Sequence, residues 1–307
     1  MKQVLITGAY GFLGRNVSKY FHDAGCHVTG IGHGKWDQDE YLNWGVDCWV
    51  ESTITFESLI NINKIFDIII HCGGSGSVGF STQNPYEDFQ KSVQSTLSVL
   101  EYIRLRNPGC KFIYPSSVAV QGSLPDAKIE ENTIGNPISP YGFHKKIAEE
   151  LCQSYHINYG LEIGIVRFFS IYGVGLEKQL LYDACKKLSS KNEDEAVFFG
   201  MGTETRDWIH VLDAASLIFK FVEKLKGMDI INGGSGERTE IGTVINILNN
   251  EFNNAKTIRF NGIVRQGDPK YFWADVNHVS RYNWQPSLNL SDGLREYVKY
   301  FKKSKNG

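Results

Sequence analysis

Tyr141 and Lys145 stand four residues apart in the stretch Ser139-Pro140-Tyr141-Gly142-Phe143-His144-Lys145. Ser is a favoured helix N-cap and Pro is tolerated at the first helical position, so a helix is expected to begin here. Residues four apart on a helix project from one face, one turn apart. A phenol beside an ammonium can exchange a proton near neutral pH, because the cation stabilises the phenolate and draws its pKa down from about 10. The pair is a candidate acid and base for a carbinol or carbonyl oxygen. Tyr182 and Lys186 repeat the spacing, so spacing alone does not select the site.

A second chemical signature lies near the N-terminus, in Thr7-Gly8-Ala9-Tyr10-Gly11-Phe12-Leu13-Gly14, between a β-branched run and a helical stretch that closes at Gly25. Gly8 allows a tight turn, Gly11 lets backbone approach a pyrophosphate, and Gly14 permits close packing of helix on strand. The free N–H groups of the first helical turn, at Phe12 and Leu13, suit an anion. A dinucleotide meets these requirements; a glycine-rich turn without ligand is the alternative that the motif alone leaves open.

Such residues need a sheet to carry them. Short β-branched runs alternate with helical patterns through the first half, as in βα units that build a parallel sheet. Strands are expected at 3–7, 27–31, 47–51, 67–71, 111–115 and 162–168. Phe89, Val93, Leu97, Leu100 and Ile103 recur every three or four residues, which predicts one long buried helix over 85–106. The Tyr141 helix is expected to run to about Tyr159, ahead of Gly160. Beyond Phe169 the pattern predicts a helix at 177–190, a charged surface turn at 191–195 and a short strand at 196–199. A helix at 212–225 and a strand at 229–232 return to the first sheet, and helices at 243–252 and 291–301 follow. The expected architecture is α/β, a doubly wound parallel sheet of Rossmann type with a smaller C-terminal substrate lobe. Residues 1–169, completed by about 211–234, would hold the dinucleotide, and 170–210 with 235–307 would form the smaller lobe.

The composition narrows the function classes. A 307-residue chain that is 42% hydrophobic and 21% charged is an ordinary globular mixture, which excludes disordered and fibrous classes. Its 32 Lys and Arg against 34 Asp and Glu give a net charge of -2, so no bulk cationic field attracts nucleic acid. The six cysteines (Cys26, Cys48, Cys72, Cys110, Cys152, Cys185) form no C-x-x-C pair and no His-Cys cluster, so reduced core thiols and no metal are expected. The apolar run Val4 to Ile6 is far shorter than a signal-peptide core or a membrane span, which predicts a cytoplasmic protein with no membrane partner.

Several motifs together resemble the extended short-chain dehydrogenase/reductase family, especially its nucleotide-sugar epimerases and reductases. The glycine turn is spaced G-x-x-G-x-x-G, and Ser116-Ser117-Val118-Ala119-Val120-Gln121-Gly122 is similar to the family's S-S-x-x-V-Y-G. His71-Cys72-Gly73-Gly74 is similar to H-x-A-A/G, and Val93-Gln94-Ser95-Thr96-Leu97 to N-V-x-G-T. Further along, Val166 to Gly173 is similar to L-R-x-x-N-V-Y-G, Arg206 to Val211 to R-D-F-I-H-V, and Arg265 to Asp268 to R-x-G-D. The resemblance covers nearly the whole chain.

It implies hydride transfer to or from a carbon of a nucleotide sugar. Ser117 would hydrogen-bond the substrate oxygen, Tyr141 would move its proton and Lys145 would hold the nicotinamide ribose; Tyr182 lacks the upstream strand. Arg206 and Arg265 would bind the nucleotide diphosphate and Asp268 its ribose. Ser170 replaces an Asn that touches substrate, and Ser75 opens the 75–80 loop that shapes the sugar site. Ser92 and Thr53 likewise replace an Asn and an acid of the family. Val118 and Ala119 cannot transfer protons, which argues against elimination and decarboxylation. His71 and His210 read as buried structural histidines.

Relatives that bind NAD carry an acid for the ribose 2′-OH after the second strand, whereas here Ile31 is followed by Gly32-His33-Gly34-Lys35. A 2′-phosphate would be attracted by Lys35, by protonated His33 or by Arg15, so NADP(H) is the expected cofactor. NAD(H) is the alternative, with His33 and Lys35 then plain solvated loop residues. The leading functional expectation is a reductase of a 4-keto nucleotide sugar, with Tyr141 as proton donor; the second is a nucleotide-sugar C4 epimerase with tightly bound NAD. A reading of another class is a dinucleotide sensor without chemistry. The resemblance also implies a homodimer, formed through 87–106 and 141–159.

Overall fold

The computed structural model describes residues 1–190, 194–252, 256–263 and 269–306. Its first units are β1 (Gln3–Thr7), α1 (Phe12–Asp23), β2 (His27–Gly32), α2 (Gln38–Asn43), β3 (Cys48–Glu51), α3 (Phe56–Asn61) and β4 (Ile68–His71). Two short helices, α4 (Val78–Gln83) and α5 (Pro85–Phe89), pass through a π turn at Gln90–Gln94 into α6 (Ser95–Arg106). Next come β5 (Lys111–Ser117), α7 (Pro140–Tyr159), β6 (Glu162–Phe168), β7 (Ser170–Tyr172), α8 (Gln179–Ser189), β8 (Glu195–Phe198), β9 (Thr205–Arg206) and β10 (Trp208–His210). The chain continues with α9 (Val211–Lys224), β11 (Met228–Gly233), β12 (Thr239–Glu240), α10 (Ile241–Asn250), β13 (Thr257–Phe260) and α11 (Leu290–Asn306).

Seven strands form one sheet in the order β11-β6-β5-β4-β1-β2-β3, every pair parallel. This is the doubly wound Rossmann-type sheet that the βα alternation predicts. Helices cover both faces, so central strands bury both sides; in β4 all of Ile68, Ile69, Ile70 and His71 are buried. One core lies against α1 and α9 around Val17, Phe21, Ile218 and Phe221. A second lies against α3, α6 and α7 around Leu59, Val99, Ile103 and Ala148. Tyr172, Leu181, Phe198, Ile245, Tyr297 and Phe301 form a third, joining α8, α10 and α11 to the short pairs β7/β10 and β8/β13. Each fully buried Leu, Ile or Phe contributes about 1.5–3 kcal/mol.

The segment 85–106 departs from the single buried helix expected of it. The π turn adds a residue to one turn and rotates the apolar stripe, so Val93, Leu100 and Ile103 are buried while Phe89 and Leu97 are exposed. Much of the 191–195 turn lies outside the described residues. Among the described residues no helix is long and apolar enough to cross a membrane, and all six cysteines are unpaired.

Candidate active site

β1 and β4 are neighbours at the point where the strand order reverses, and open α/β sheets bind ligands in the crevice at such a point. Gly8 holds φ at +68°, and a Cβ there would stand 2.7 Å from the Gly73 nitrogen. A Cβ on Gly14 would stand 2.2 Å from the Gly8 carbonyl oxygen. The backbone therefore closes tightly where any side chain would intrude, with Gly11 N–H donating to Gly8 O at 2.9 Å. Helix α1 starts after Gly11 with no side-chain cap and no acid in its first turn, leaving its N–H groups and positive dipole end available to an anion. A cleft of about 630 Å³ opens here, lined on this side by Gly11, Phe12, Leu13 and Gly14. Gly8 shapes the turn without lining the cleft. The cradle fits a dinucleotide diphosphate.

Across the cleft, Ser139 caps α7 by accepting from Gly142 N–H at 3.2 Å, Pro140 opens the helix and left-handed Gly160 ends it. The Tyr141 N–H donates to Ser81 Oγ on α4 at 3.0 Å, fixing the first turn. Ser117 at the end of β5, Tyr141 and Lys145 all line the cleft. Burial pushes the Tyr141 phenol up to about 12, against the downward pull of the Ser117 hydroxyl. The lowering by Lys145 that the i,i+4 spacing suggests is not present. The Lys145 ammonium is engaged elsewhere, donating to Pro115 O at 2.8 Å and lying 4.6 Å above the Tyr114 ring. Burial brings Lys145 itself down to about 8. Val118 and Ala119 line the cleft next to Ser117 and offer no proton-transfer group.

A buried network supports this wall. Glu149, one turn beyond Lys145 on α7, accepts from Ser116 Oγ at 2.5 Å and from Arg167 at 2.7 Å, and Arg167 also donates to Glu131 O at 2.6 Å. Sequence spacing alone could have placed Glu149 on the Lys145 face, but its partner Arg167 on β6 is visible only in three dimensions. His71 is buried between Thr7 Oγ1 (2.6 Å) and Ser95 Oγ (3.1 Å), and burial lowers it to about 3. His210 is also buried, accepts from Leu212 N–H at the start of α9 and is lowered by burial. Both histidines are buried, as read from the sequence.

The remaining candidates separate. Ser75, Ser170 and Arg206 line the cleft, with the Arg206 guanidinium 5.9 Å from the Phe272 ring. Arg265 and Asp268 lie outside the described residues. His33 and Lys35 are exposed and do not line the cleft. Arg15, the third cation considered for a 2′-phosphate, donates to Tyr10 O at 2.6 Å and lies 5.2 to 5.6 Å from the rings of Tyr10, Trp36 and Trp44. Tyr182 packs against Phe301, away from the cleft, with Lys186 over its ring. Lys178 and Gln179, within the 170–180 loop that the sequence marks as shaping the choice of sugar, also line the cleft, as does Asp183, which the sequence reading missed. Among them Gln179 bridges to Gly76 O at 2.9 Å.

The family model for the NAD dependent epimerase/dehydratase family matches residues 4–247. A UDP-glucuronate 4-epimerase of Thermodesulfobacterium geofontis is 28% identical over 99% of this chain and 97% of its own. Among solved structures, a UDP-N-acetylglucosamine 4-epimerase from Methanobrevibacter ruminantium, in complex with UDP-N-acetylmuramic acid, superposes with a TM-score of 0.89 at 25% identity over 99% of both chains. A UDP-glucuronic acid 4-epimerase from Bacillus cereus, in complex with UDP-glucuronic acid and NAD, superposes with a TM-score of 0.86 at 26% identity, covering 98% of this chain and 99% of that one.

Proposed function

The chain belongs to the NAD dependent epimerase/dehydratase family, and from that premise we propose that it inverts a sugar carbon, C4, of a UDP-type nucleotide sugar with NAD held throughout. The observation that carries this reading is the meeting of Ser117 and Tyr141 in one cleft with the dinucleotide cradle, beside Val118 and Ala119, which cannot eliminate or decarboxylate. Bound NAD would supply a reversible hydride acceptor. Tyr141 would take the proton of the sugar hydroxyl as hydride leaves the carbon and would give it back to the same oxygen once the keto sugar has turned its opposite face to the returning hydride, and Ser117 would hydrogen-bond that oxygen in both half-reactions. Lys145, buried and cationic, would hold the nicotinamide ribose. Gly8, Gly11, Phe12, Leu13 and Gly14 would cradle the diphosphate, while Ser75, Ser170, Arg206, Arg265 and Asp268 would hold the nucleotide sugar.

The epimerase reading takes precedence over net reduction with NADPH, because the relatives are 4-epimerases and one solved with its cofactor holds NAD. The cation set for a 2′-phosphate is also thin: Arg15 is boxed by aromatic rings, and His33 and Lys35 stand outside the cleft. In this reading residues 1–169 with 211–234 form the dinucleotide lobe, and 170–210 with 235–307 the nucleotide-sugar lobe. The enzyme would work as a cytoplasmic homodimer, in keeping with its unpaired cysteines and with exposed Phe89, Leu97, Phe143 and Ile147 on the helices at 87–106 and 141–159. The test is mass spectrometry of the co-purified cofactor with a panel of UDP-sugars. Isomerisation without net oxidation, with NAD bound, is the expected result. Stoichiometric NADPH consumption on a 4-keto nucleotide sugar would restore the reductase, and no turnover with a broad panel would favour the sensor.

A further inference from the structure

Gln179 opens α8 in the left-handed region, at φ +67°, where a residue with a side chain stays only if its surroundings impose it. Its side chain joins the two walls of the cleft: Nε2 donates to Gly76 O at 2.9 Å, from the start of α8 to the loop after β4, and both residues line the cleft. That loop is fastened in turn to the reacting end. Ser81 Oγ donates to Val78 O at 2.7 Å and accepts from the Tyr141 N–H at 3.0 Å. On the opposite wall the residues before Gln179 are anchored to α11, with Tyr297 donating to Leu176 O at 2.7 Å and Tyr300 to the Glu177 carboxylate at 2.9 Å. Lys178 and Gln179 project from this anchor. A Cβ on Gly76 would stand 3.8 Å from Lys178 Nζ and, beyond its chain neighbours, would meet no other described atom within 4 Å, so this end of the bridge stands in open cleft.

We propose that Gln179 is a latch that retains the keto sugar, closing the Tyr141 end of the cleft through its bond to Gly76. The inference rests on the epimerase reading and deepens it. In that reaction the sugar loses a hydride to NAD and a proton to Tyr141, and as a ketone it must turn over before both return. No covalent bond holds it in that interval. Its escape would leave NADH and a protonated phenol with no carbonyl to receive either, a dead end for the enzyme. A net reductase has no such interval, because its ketone arrives from solution. A single hydrogen bond between the walls suits a closure that must open again in every cycle. Opening needs only a turn of the Gln179 side chain, since Leu176 and Glu177 stay tied to α11. The left-handed backbone at 179 is what directs that side chain to the opposite wall.

The experiment measures escape directly, on protein loaded with NAD. Release of UDP-glucose, UDP-glucuronate and UDP-N-acetylglucosamine is followed by stopped-flow fluorescence, with UDP as the control that lacks a sugar. Free keto sugar and bound NADH are measured during turnover. Gln179→Ala removes the amide; Gln179→Gly removes it and also relieves the backbone, which separates the latch from an effect of strain on stability. Both variants are expected to release the UDP-sugars roughly three- to ten-fold faster, as the loss of one hydrogen bond implies, with UDP unchanged. Both should also accumulate NADH and keto sugar beyond the wild type. Wild-type release in a folded Gln179→Gly protein overturns the proposal, as does equal acceleration of UDP, which would make Gln179 a general part of the binding wall. Should Gln179→Ala fail to fold, Gln179→Gly decides alone. Faster release from variants of a protein that binds these sugars and isomerises none of them would sink the epimerase reading and leave the closure standing; a wild type that binds none of them would sink both.

Discussion

Removing one oxygen tests the site most directly. Tyr141→Phe is expected to lower turnover by about 10²- to 10⁴-fold, the usual worth of a positioned acid or base, while dinucleotide binding stays near wild type. Fluorescence titration with NADH beside the activity assay checks both halves, and an active Tyr141→Phe enzyme would remove the phenol from the mechanism. Glu149 belongs to the same scale. Replacing it by Ala strands the Arg167 guanidinium and the Ser116 hydroxyl in the interior, with an expected loss of about 3–5 kcal/mol in urea denaturation. A loss below about 1 kcal/mol would show that water or a neighbour compensates. At this scale the sequence displayed Tyr141, Lys145 and Ser117, because helical spacing and a motif carry them. It did not display Glu149 with Arg167 or Gln179 with Gly76, whose partners are 18 and 103 residues apart.

Elements were legible where burial on both faces forces β-branched runs, as in Ile68-Ile69-Ile70, and where glycine must yield to backbone, as at Gly8 and Gly14. Gly14→Ala places a methyl 2.2 Å from the Gly8 carbonyl, a contact that neither α1 nor the turn can absorb without shifting. Overpacking of this kind costs about 1–3 kcal/mol. The variant is expected to melt lower and to show little of the rise in Tm expected on adding NAD to the wild type; a rise equal to that of the wild type would move the diphosphate away from this turn. The π turn was illegible for a physical reason. Ser95, Thr96 and Ser98 bond back to the carbonyls of Lys91, Ser92 and Gln94, so local hydroxyls compete with the regular ladder where the apolar stripe alone reads as one helix. The 196–199 strand was legible, but its parallel pairing with β13, about sixty residues later in the chain, was not.

At the scale of the whole molecule, His71 ties β4 to β1 and α6 in the neutral form, with its pKa lowered by burial to about 3 from 6.5. The unfolded chain takes up this proton first as pH falls. The contribution of His71 is therefore fully present above about 6.5 and is lost progressively towards pH 3. His210, lowered by burial as well, adds in the same direction. The carboxylates of Asp23, Glu101 and Glu204, lowered from 3.8 or 4.5, act only further down. Urea unfolding at pH 7.5, 6.5 and 5.5 is expected to show falling stability, with a shallower fall in His71→Gln; identical slopes would mean that the imidazole takes up its proton equally in both states. The order of the sheet has a consequence for synthesis. Strand β6 ends at Phe168, yet the strand that covers its outer edge, β11, begins at Met228, about sixty residues later. A growing polypeptide thus presents Ile163, Ile165 and Val166 beside an open row of N–H and C=O groups until translation has passed Gly233. Fragments that stop short of that point should recruit one another through this edge and accumulate as aggregates, so chaperone demand during expression should fall sharply once β11 has emerged.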